Sequence, residues 1–130
     1  MSVSLLDTSV VIAAADGDAV LPEEGAISVV TLGELHAGVL RASHAAERDR
    51  RSMRLRLIRS AFASIPVDDD VAEQYGRALA LARDEGRGQD AADLLIVATA
   101  AATDNALHTR DIGQAKLARR LGLVVHGPGE

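Results

Sequence analysis

The chain has 130 residues, a net charge of −5, nearly half apolar side chains and no cysteine. This length suffices for one hydrophobic core, so we predict a single domain over residues 1–130. The lack of cysteine excludes disulfides, thiolate nucleophiles and thiolate zinc sites, and the negative charge argues against a protein that coats nucleic acid.

The first half of the chain predicts short strands that alternate with helices. Short apolar runs indicate buried strands, whereas apolar residues at wider spacing indicate helices. A long helix is predicted where Met53, Leu57 and Phe62 interrupt a run of charged residues. In chain order, the predicted elements are a strand at 3–6, a helix at 8–15, a strand at 26–30, a helix at 32–42, a helix at 44–64 and a brief strand at 65–67.

The second half continues this alternation and fixes the expected fold. The acidic turn at 68–70 can cap a helix, and the helix that begins at residue 91 is apolar nearly all round, which predicts that it is buried. Strands separated by helices have crossovers too long for hairpins, so we expect an α/β fold of three layers, α/β/α, with a central, mainly parallel sheet. The predicted elements are a helix at 71–85, a loop at 86–88, a helix at 91–103, a strand at 106–109, a helix at 113–121 and a strand at 123–126.

Three acidic residues stand close to the ends of predicted strands. Asp7 follows the first strand, Glu34 lies in the first turn of the predicted helix after the second strand, and Asp111 follows the strand at 106–109. The carboxyl ends of parallel strands meet at one edge of a sheet, where α/β proteins place their ligands. Asp93, in the first turn of the apolar helix, must reach the same edge although no strand precedes it.

Each of these acids also has a structural explanation as a helix cap. Thr31 with Glu34 forms a capping-box pattern, Asp90 with Asp93 imitates one, and the other two acids precede helices that they can cap. Asp90 also competes with Asp93 as the functional acid. Four acids at one sheet edge are, however, more than helix ends require.

Carboxylates gathered at one edge would repel one another. Two of them about 4 Å apart cost roughly 4 kcal/mol at an effective dielectric constant near 20. Protonation or a divalent cation relieves this repulsion, and Mg²⁺ or Mn²⁺ suits ligands that are all oxygen. A hydrated cation activates water and holds a phosphate oxygen, so the predicted site indicates phosphoryl chemistry such as phosphodiester hydrolysis.

Four segments of the chain resemble the signature segments of PIN-domain ribonucleases. These segments are LLDTS at 5–9, TxxEL at 31–35, DLLIVATA at 93–100 and LHTRD at 107–111. Their order and spacing are similar to those of VapC-type toxins from bacterial toxin–antitoxin pairs. Many relatives follow the last segment with a second acid and an aromatic residue, whereas residues 112–115 supply neither.

The resemblance implies a Mg²⁺- or Mn²⁺-dependent endoribonuclease that hydrolyses RNA, usually forms a homodimer and is silenced by a small antitoxin protein. It assigns Asp7 and Asp93 as metal ligands, and Glu34 and Asp111 as the acids that complete the catalytic cluster by orienting water or binding a second cation. The hydroxyl positions that it assigns to water or phosphate are Thr8, Ser9 and Thr109.

Other functions use the same residues. A carboxylate–metal phosphatase or a DNA nuclease would need a similar cluster, and the main alternative is a catalytically inert PIN-fold module that binds RNA or serves as a scaffold. The presence of all four acids argues against an inert module.

The arginines between residues 41 and 59 allow three interpretations: an RNA grip, an antitoxin dock or a solvated surface. Met53 and Leu57 could likewise form a partner surface, although core packing is the default expectation. With no export signal and no bilayer-spanning stretch evident, we expect a cytoplasmic protein without a membrane partner. The clustered arginines are Arg41, Arg48, Arg50, Arg51, Arg54, Arg56 and Arg59.

Overall fold

The computed structural model describes residues 3–18, 24–86 and 88–129, and these residues form five strands and six helices. Residue 87 of the predicted loop lies outside the described residues. The strands are Ser4–Leu6 (β1), Gly25–Ser28 (β2), Ala63–Ile65 (β3), Ala106–His108 (β4) and Val125–His126 (β5). The helices are Thr8–Ala15 (α1), Val29–Leu40 (α2), Ala45–Ala61 (α3), Asp69–Asp84 (α4), Ala91–Ala102 (α5) and Ile112–Arg120 (α6).

The strands form one sheet in the order β3-β2-β1-β4-β5, and each pairing between them is parallel. In the centre, β1 pairs with β2 on one side and with β4 on the other. The chain builds β2 and β3 on the first side and then crosses to build β4 and β5. The sheet therefore has its topological switch point between the carboxyl ends of β1 and β4, the position at which open α/β sheets bind ligands.

Helices cover both faces of the sheet. Leu5 and Leu6 are adjacent in β1 and point to opposite faces, because side chains alternate along a strand. Leu5 packs in one core with Ile96 of α5 and Ala115 of α6. Leu6 packs in a second core with residues of α1, α2 and α3, including Leu35. The expected three-layer α/β/α fold with a parallel sheet is confirmed.

Helix α5 is buried as predicted. Ile96, Val97 and Ala100 pack towards the sheet, whereas Leu94 packs in a separate cluster with Ala78 of α4. The small side chains of Ala78 and Ala100 allow neighbouring helices to approach closely. None of the helices in the described ranges is both long and apolar enough to cross a bilayer.

Several element boundaries differ from those predicted, among them the strand predicted at 123–126, which spans only Val125–His126, and two of the differences have a clear physical cause. Helix α2 begins at Val29, three residues early, because the Ser28 hydroxyl caps it by accepting the Val30 N–H at 3.0 Å. Helix α3 ends at Ala61 rather than at residue 64, since residues 63–65 leave the helix and pair with β2 as β3. In both cases an interaction outside the local apolar pattern sets the boundary.

Candidate active site

A cavity of about 410 Å³ opens at the carboxyl ends of β1 and β4, beside the switch point of the sheet. Its lining includes the four acids selected from the sequence, which come from four different parts of the chain. These acids are Asp7, Glu34, Asp93 and Asp111.

Asp7 is held firmly at the end of β1. Its side chain is buried, and its backbone N–H donates to the carbonyl of His108 at 2.9 Å. Its Oδ2 accepts hydrogen bonds from the Ser9 hydroxyl at 2.6 Å and from the Thr109 hydroxyl at 3.4 Å. The same oxygen accepts the Ser9 N–H at 3.3 Å, so Asp7 caps α1 and lines the cavity at once.

Glu34 is not part of a capping box. Because α2 begins at Val29, Thr31 lies inside the helix, where it is buried and its hydroxyl is 2.9 Å from that of Thr8. The Thr8 hydroxyl donates to Glu34 Oε1 at 2.6 Å. The expected first-turn position of Glu34 was wrong, and the carboxylate is instead tied to the segment that follows β1.

Asp93 and Asp90 have different roles. Asp90 caps α5 by accepting the N–H of Asp93 at 2.8 Å. The carboxyl group of Asp93 lines the cavity, where its pKa is raised to about 7, first by burial and then by the negative charges of Asp90, Asp7, Asp111 and Glu34 in that order. The dependence on these neighbours means that the acids form one electrostatic cluster.

Asp111 caps a helix and also lines the cavity. Its Oδ1 accepts the N–H of Gln114 at 2.9 Å, and its own N–H donates to the Thr109 hydroxyl at 3.1 Å. Its side chain is exposed. For this residue, as for Asp7, the capping explanation and the site explanation are compatible.

Gln114 is a buried residue of the site that the sequence analysis missed. It is 0% exposed, and its amide donates to the Asp93 carbonyl at 3.2 Å and accepts from the Thr109 hydroxyl at 2.5 Å. It lies in the segment 112–115, which was examined only for a further acid. Its position three and four residues before the buried Leu117 and Ala118 was the available signal that it faces the interior.

The donor set of the cavity fits a hard divalent cation. Carboxylate oxygens and the hydroxyls of Thr8 and Ser9 line it, and oxygen atoms are the ligands that Mg²⁺ and Mn²⁺ prefer. Across the described ranges, no three acidic or histidine side chains stand close enough together to hold an ion as placed. Mg²⁺ usually keeps several of its waters, so carboxylates that line one cavity can hold it partly through water.

A second feature is an apolar groove between α1 and α3. Met53 and Leu57 are 58% and 61% exposed, so the expectation that they pack in the core was wrong. Two adjoining cavities of about 520 and 170 Å³ share Ala15 and Leu57 in their walls. Exposed apolar surface of this kind is typical of protein interfaces.

Comparison with known proteins gives consistent matches. The family model of the PIN domain matches residues 4–120. The chain is 45% identical over 104 residues to Ribonuclease VapC8 of Mycobacterium tuberculosis, and this alignment covers 77% of this chain and 92% of the relative. It is 39% identical over 113 residues to Ribonuclease VapC5 of the same species, with 82% of each chain covered.

A solved structure is similar over nearly the whole length. The crystal structure of VapBC-5 from Mycobacterium tuberculosis, a member of the VapBC family of toxin–antitoxin systems, matches with a TM-score of 0.82 and 35% identity. The match covers 98% of each chain. The likeness therefore includes every strand and helix that builds the cavity.

Proposed function

The chain belongs to the PIN-domain family and, within it, to the VapC ribonucleases, and on this premise we propose that it is a metal-dependent endoribonuclease, the toxin of a toxin–antitoxin pair. One observation carries the proposal: acids from four separate segments line one cavity at the switch point of the sheet. The pKa of Asp93 is raised first by burial and then by repulsion from the neighbouring acids, and this supports the proposal because a divalent cation stabilises the ionised carboxylate against both effects.

Asp7 and Asp93 are the proposed ligands of Mg²⁺ or Mn²⁺, and Asp111 adds a third carboxylate to the cavity. When bound, the cation supplies Lewis-acid stabilisation of the phosphate charge and favours ionisation of water. Ser9 and Thr109 hold Asp7 in place through its Oδ2. These contacts fix the orientation of the Asp7 carboxylate in the cavity.

Glu34 is the proposed acceptor of the proton from the attacking water. Its Oε1 already accepts the Thr8 hydroxyl at 2.6 Å, which fixes the orientation of the carboxylate. Arg110 also lines the cavity, and its guanidinium can bind a non-bridging oxygen of the phosphate. A water molecule that gives its proton to Glu34 attacks phosphorus, the bond to the leaving sugar oxygen breaks, and that oxygen takes up a proton from solvent.

We propose that the silencing partner is a small antitoxin protein that docks in the apolar groove between α1 and α3. The exposure of Met53 and Leu57 supports a protein partner there, because burying two such side chains stabilises an interface. Co-purification of Leu57→Asp with the antitoxin encoded beside it should fail, whereas Val67→Asp, also at an exposed apolar side chain, should leave it intact. If the groove instead binds only a second copy of this chain, Leu57→Asp should disrupt a homodimer.

A cleavage assay with matched variants tests the proposed activity. Purified protein should cut cellular RNA with Mg²⁺ or Mn²⁺ and lose this activity in EDTA. Asp7→Asn and Asp93→Asn should reduce the rate by about 100-fold or more. Asp69→Asn is the control, because it removes an exposed acid in the first turn of α4.

Two outcomes would contradict the proposed activity. Cleavage that survives both Asp7→Asn and Asp93→Asn would exclude the carboxylate site. Binding of RNA without cleavage under any metal condition would favour the inert PIN-fold module. The homodimer remains a prediction from the resemblance, and the cytoplasmic location remains a prediction from the sequence.

A further inference from the structure

A second cavity, rich in arginine, adjoins the carboxylates. It has a volume of about 500 Å³, and we name it the Arg41 pocket after one residue of its lining. Glu34 lines both cavities, so the two meet at this side chain. The residues of the Arg41 pocket are Glu34, Ala37, Gly38, Arg41 and Arg51.

The two arginines of the pocket are held differently. Arg51 is fixed, because it donates to the Gly38 carbonyl at 2.6 Å and to the carboxylate of Glu47. Arg41 is exposed at the C-terminal end of α2 and forms no ion pair with the described acids. Arg51 thus forms a fixed wall, while the charge of Arg41 is available to a ligand.

Other arginines of the cluster are placed elsewhere. Arg54 lies 3.8 Å from Asp16, and both residues border the apolar groove. Arg56 and Arg59 are exposed on α3 and line neither the Arg41 pocket nor the carboxylate cavity. The structure therefore distinguishes two arginines beside the acids from a more general charged surface.

We propose that the Arg41 pocket binds a phosphate of the RNA strand that neighbours the cleaved phosphate, an inference that rests on the proposed function. An acidic protein repels a polyanion unless cations border the path of the strand. Arg110 provides such a cation inside the carboxylate cavity, and Arg41 provides one beside it. A guanidinium group can bind a phosphate through two parallel hydrogen bonds.

The position of the pocket favours RNA over a protein as its ligand. It opens directly beside Glu34, so a strand that presents one phosphate to the carboxylates can reach it with another. The apolar surface suited to a protein partner is in a different place, in the groove lined by Met53 and Leu57. The two surfaces should therefore respond independently to mutation.

Binding of RNA to Arg41→Ala tests the pocket directly. Fluorescein-labelled single-stranded RNA is titrated with protein that carries Asp93→Asn, so that the RNA stays intact. We expect Arg41→Ala to weaken affinity by about tenfold and to reduce the salt dependence by about 0.7 in log–log slope, the value for one phosphate contact on a single strand. Arg56→Ala, which removes the same charge outside the pocket, should change affinity by less than about twofold.

Placing a negative charge on the pocket wall gives a second test. A Cβ at Gly38 meets no atom within 4 Å, and neither does one at Gly76 in α4. Gly38→Glu should therefore fold and weaken RNA affinity, whereas Gly38→Ala and Gly76→Glu should leave the affinity close to that of the parent protein. These controls separate charge in the pocket from substitution of a helical glycine.

Kinetics separate this inference from the proposed activity. In the active enzyme, Arg41→Ala should raise KM with kcat nearly unchanged, because the residue contacts a phosphate that does not react. Equal effects of Arg41→Ala and Arg56→Ala, or weakened antitoxin binding with normal RNA affinity, would overturn the pocket assignment alone. A wild-type protein that binds RNA through the pocket but never cuts it would contradict the proposed activity alone.

Discussion

Asp93 carries a charge that is unfavourable in the folded protein. Its pKa is raised from 3.8 to about 7, first by burial and then by the neighbouring acids. The unfolded chain therefore releases this proton at lower pH than the folded chain does. Because this carboxyl group binds more protons in the folded state between about pH 4 and pH 7, its contribution to the free energy of unfolding falls as pH rises through this window.

We predict that Asp93→Asn stabilises the metal-free protein at pH 8. The full shift corresponds to about 4 kcal/mol, and solvent screening of this partly exposed group reduces the gain to about 1–2 kcal/mol. Urea unfolding in EDTA should show the gain at pH 8 and little difference near pH 4. Equal stability of the two proteins at pH 8 would show that Asp93 is not under electrostatic strain.

The acids also show what could be predicted at single residues. Asp7 and Asp93 could be identified as candidate site residues from the motifs alone, because a motif is recognised by its residue types and spacing without knowledge of the fold. The role of a single acid could not, since Asp7 and Asp111 each cap a helix and line the cavity. Gln114 escaped prediction because its importance comes from side-chain contacts that appear only in the folded chain, one with the Thr109 hydroxyl and one with the Asp93 carbonyl of α5.

At the level of elements, α6 holds together parts of the site that the sheet alone does not join. Strand ends place Asp7 and Asp111, but no strand precedes Asp93. The amide of Gln114 in α6 bonds to the Asp93 carbonyl of α5 and to the Thr109 hydroxyl after β4. This amide therefore links the helix that carries Asp93 to the sheet edge that carries Asp7.

We predict that Gln114→Met lowers both stability and metal affinity. Methionine fills a similar volume but leaves the Asp93 carbonyl and the Thr109 hydroxyl without this partner, at a cost of about 2 kcal/mol in unfolding free energy. Calorimetric titration should show Mn²⁺ affinity reduced by about tenfold, as for other residues that orient metal ligands. Gln74→Met is the control, since Gln74 bonds to Arg77 on α4. Normal Mn²⁺ affinity despite lower stability would restrict Gln114 to a structural role.

The element boundaries show what the local sequence pattern does not predict. Val29 and Val30 continue the apolar run of β2 and were assigned to it, yet they begin α2 because Ser28 caps the helix. An apolar run does not distinguish a buried strand from a buried helix end. Residues 63–65 form a strand through pairing with β2, a partner more than thirty positions away that no local pattern shows.

For the whole molecule, the proposed metal site couples metal binding to folding. The carboxylates converge only when the sheet and α5 are assembled, so a cation at this site would bind the folded chain in preference to the unfolded one. We predict that Mn²⁺ at about 100 times its Kd adds about 2.7 kcal/mol and raises Tm by roughly 5–10 °C. Asp7→Asn should lose most of this rise and Asp69→Asn should retain it; an equal rise in Asp7→Asn would place the ion elsewhere.

The alternation of strands and helices was enough to predict a parallel three-layer fold, because parallel pairing requires long crossovers. It did not indicate the strand order, which places β1 between β2 and β4. The sequence also did not show that Arg41 lies beside the carboxylates whereas Arg56 does not. Two arginines of one cluster look alike in the sequence and differ only in the surface that surrounds them in the fold.

The pairing of β1 with β4 has a consequence for synthesis on the ribosome. The side chains of Asp7 and Thr109 meet although they are 102 positions apart. A growing chain therefore has no complete catalytic centre until β4 has been translated and has emerged. The helices of the apolar groove, α1 and α3, belong to the first half of the chain, so the surface proposed for the inhibitor is translated before the proposed catalytic centre is complete.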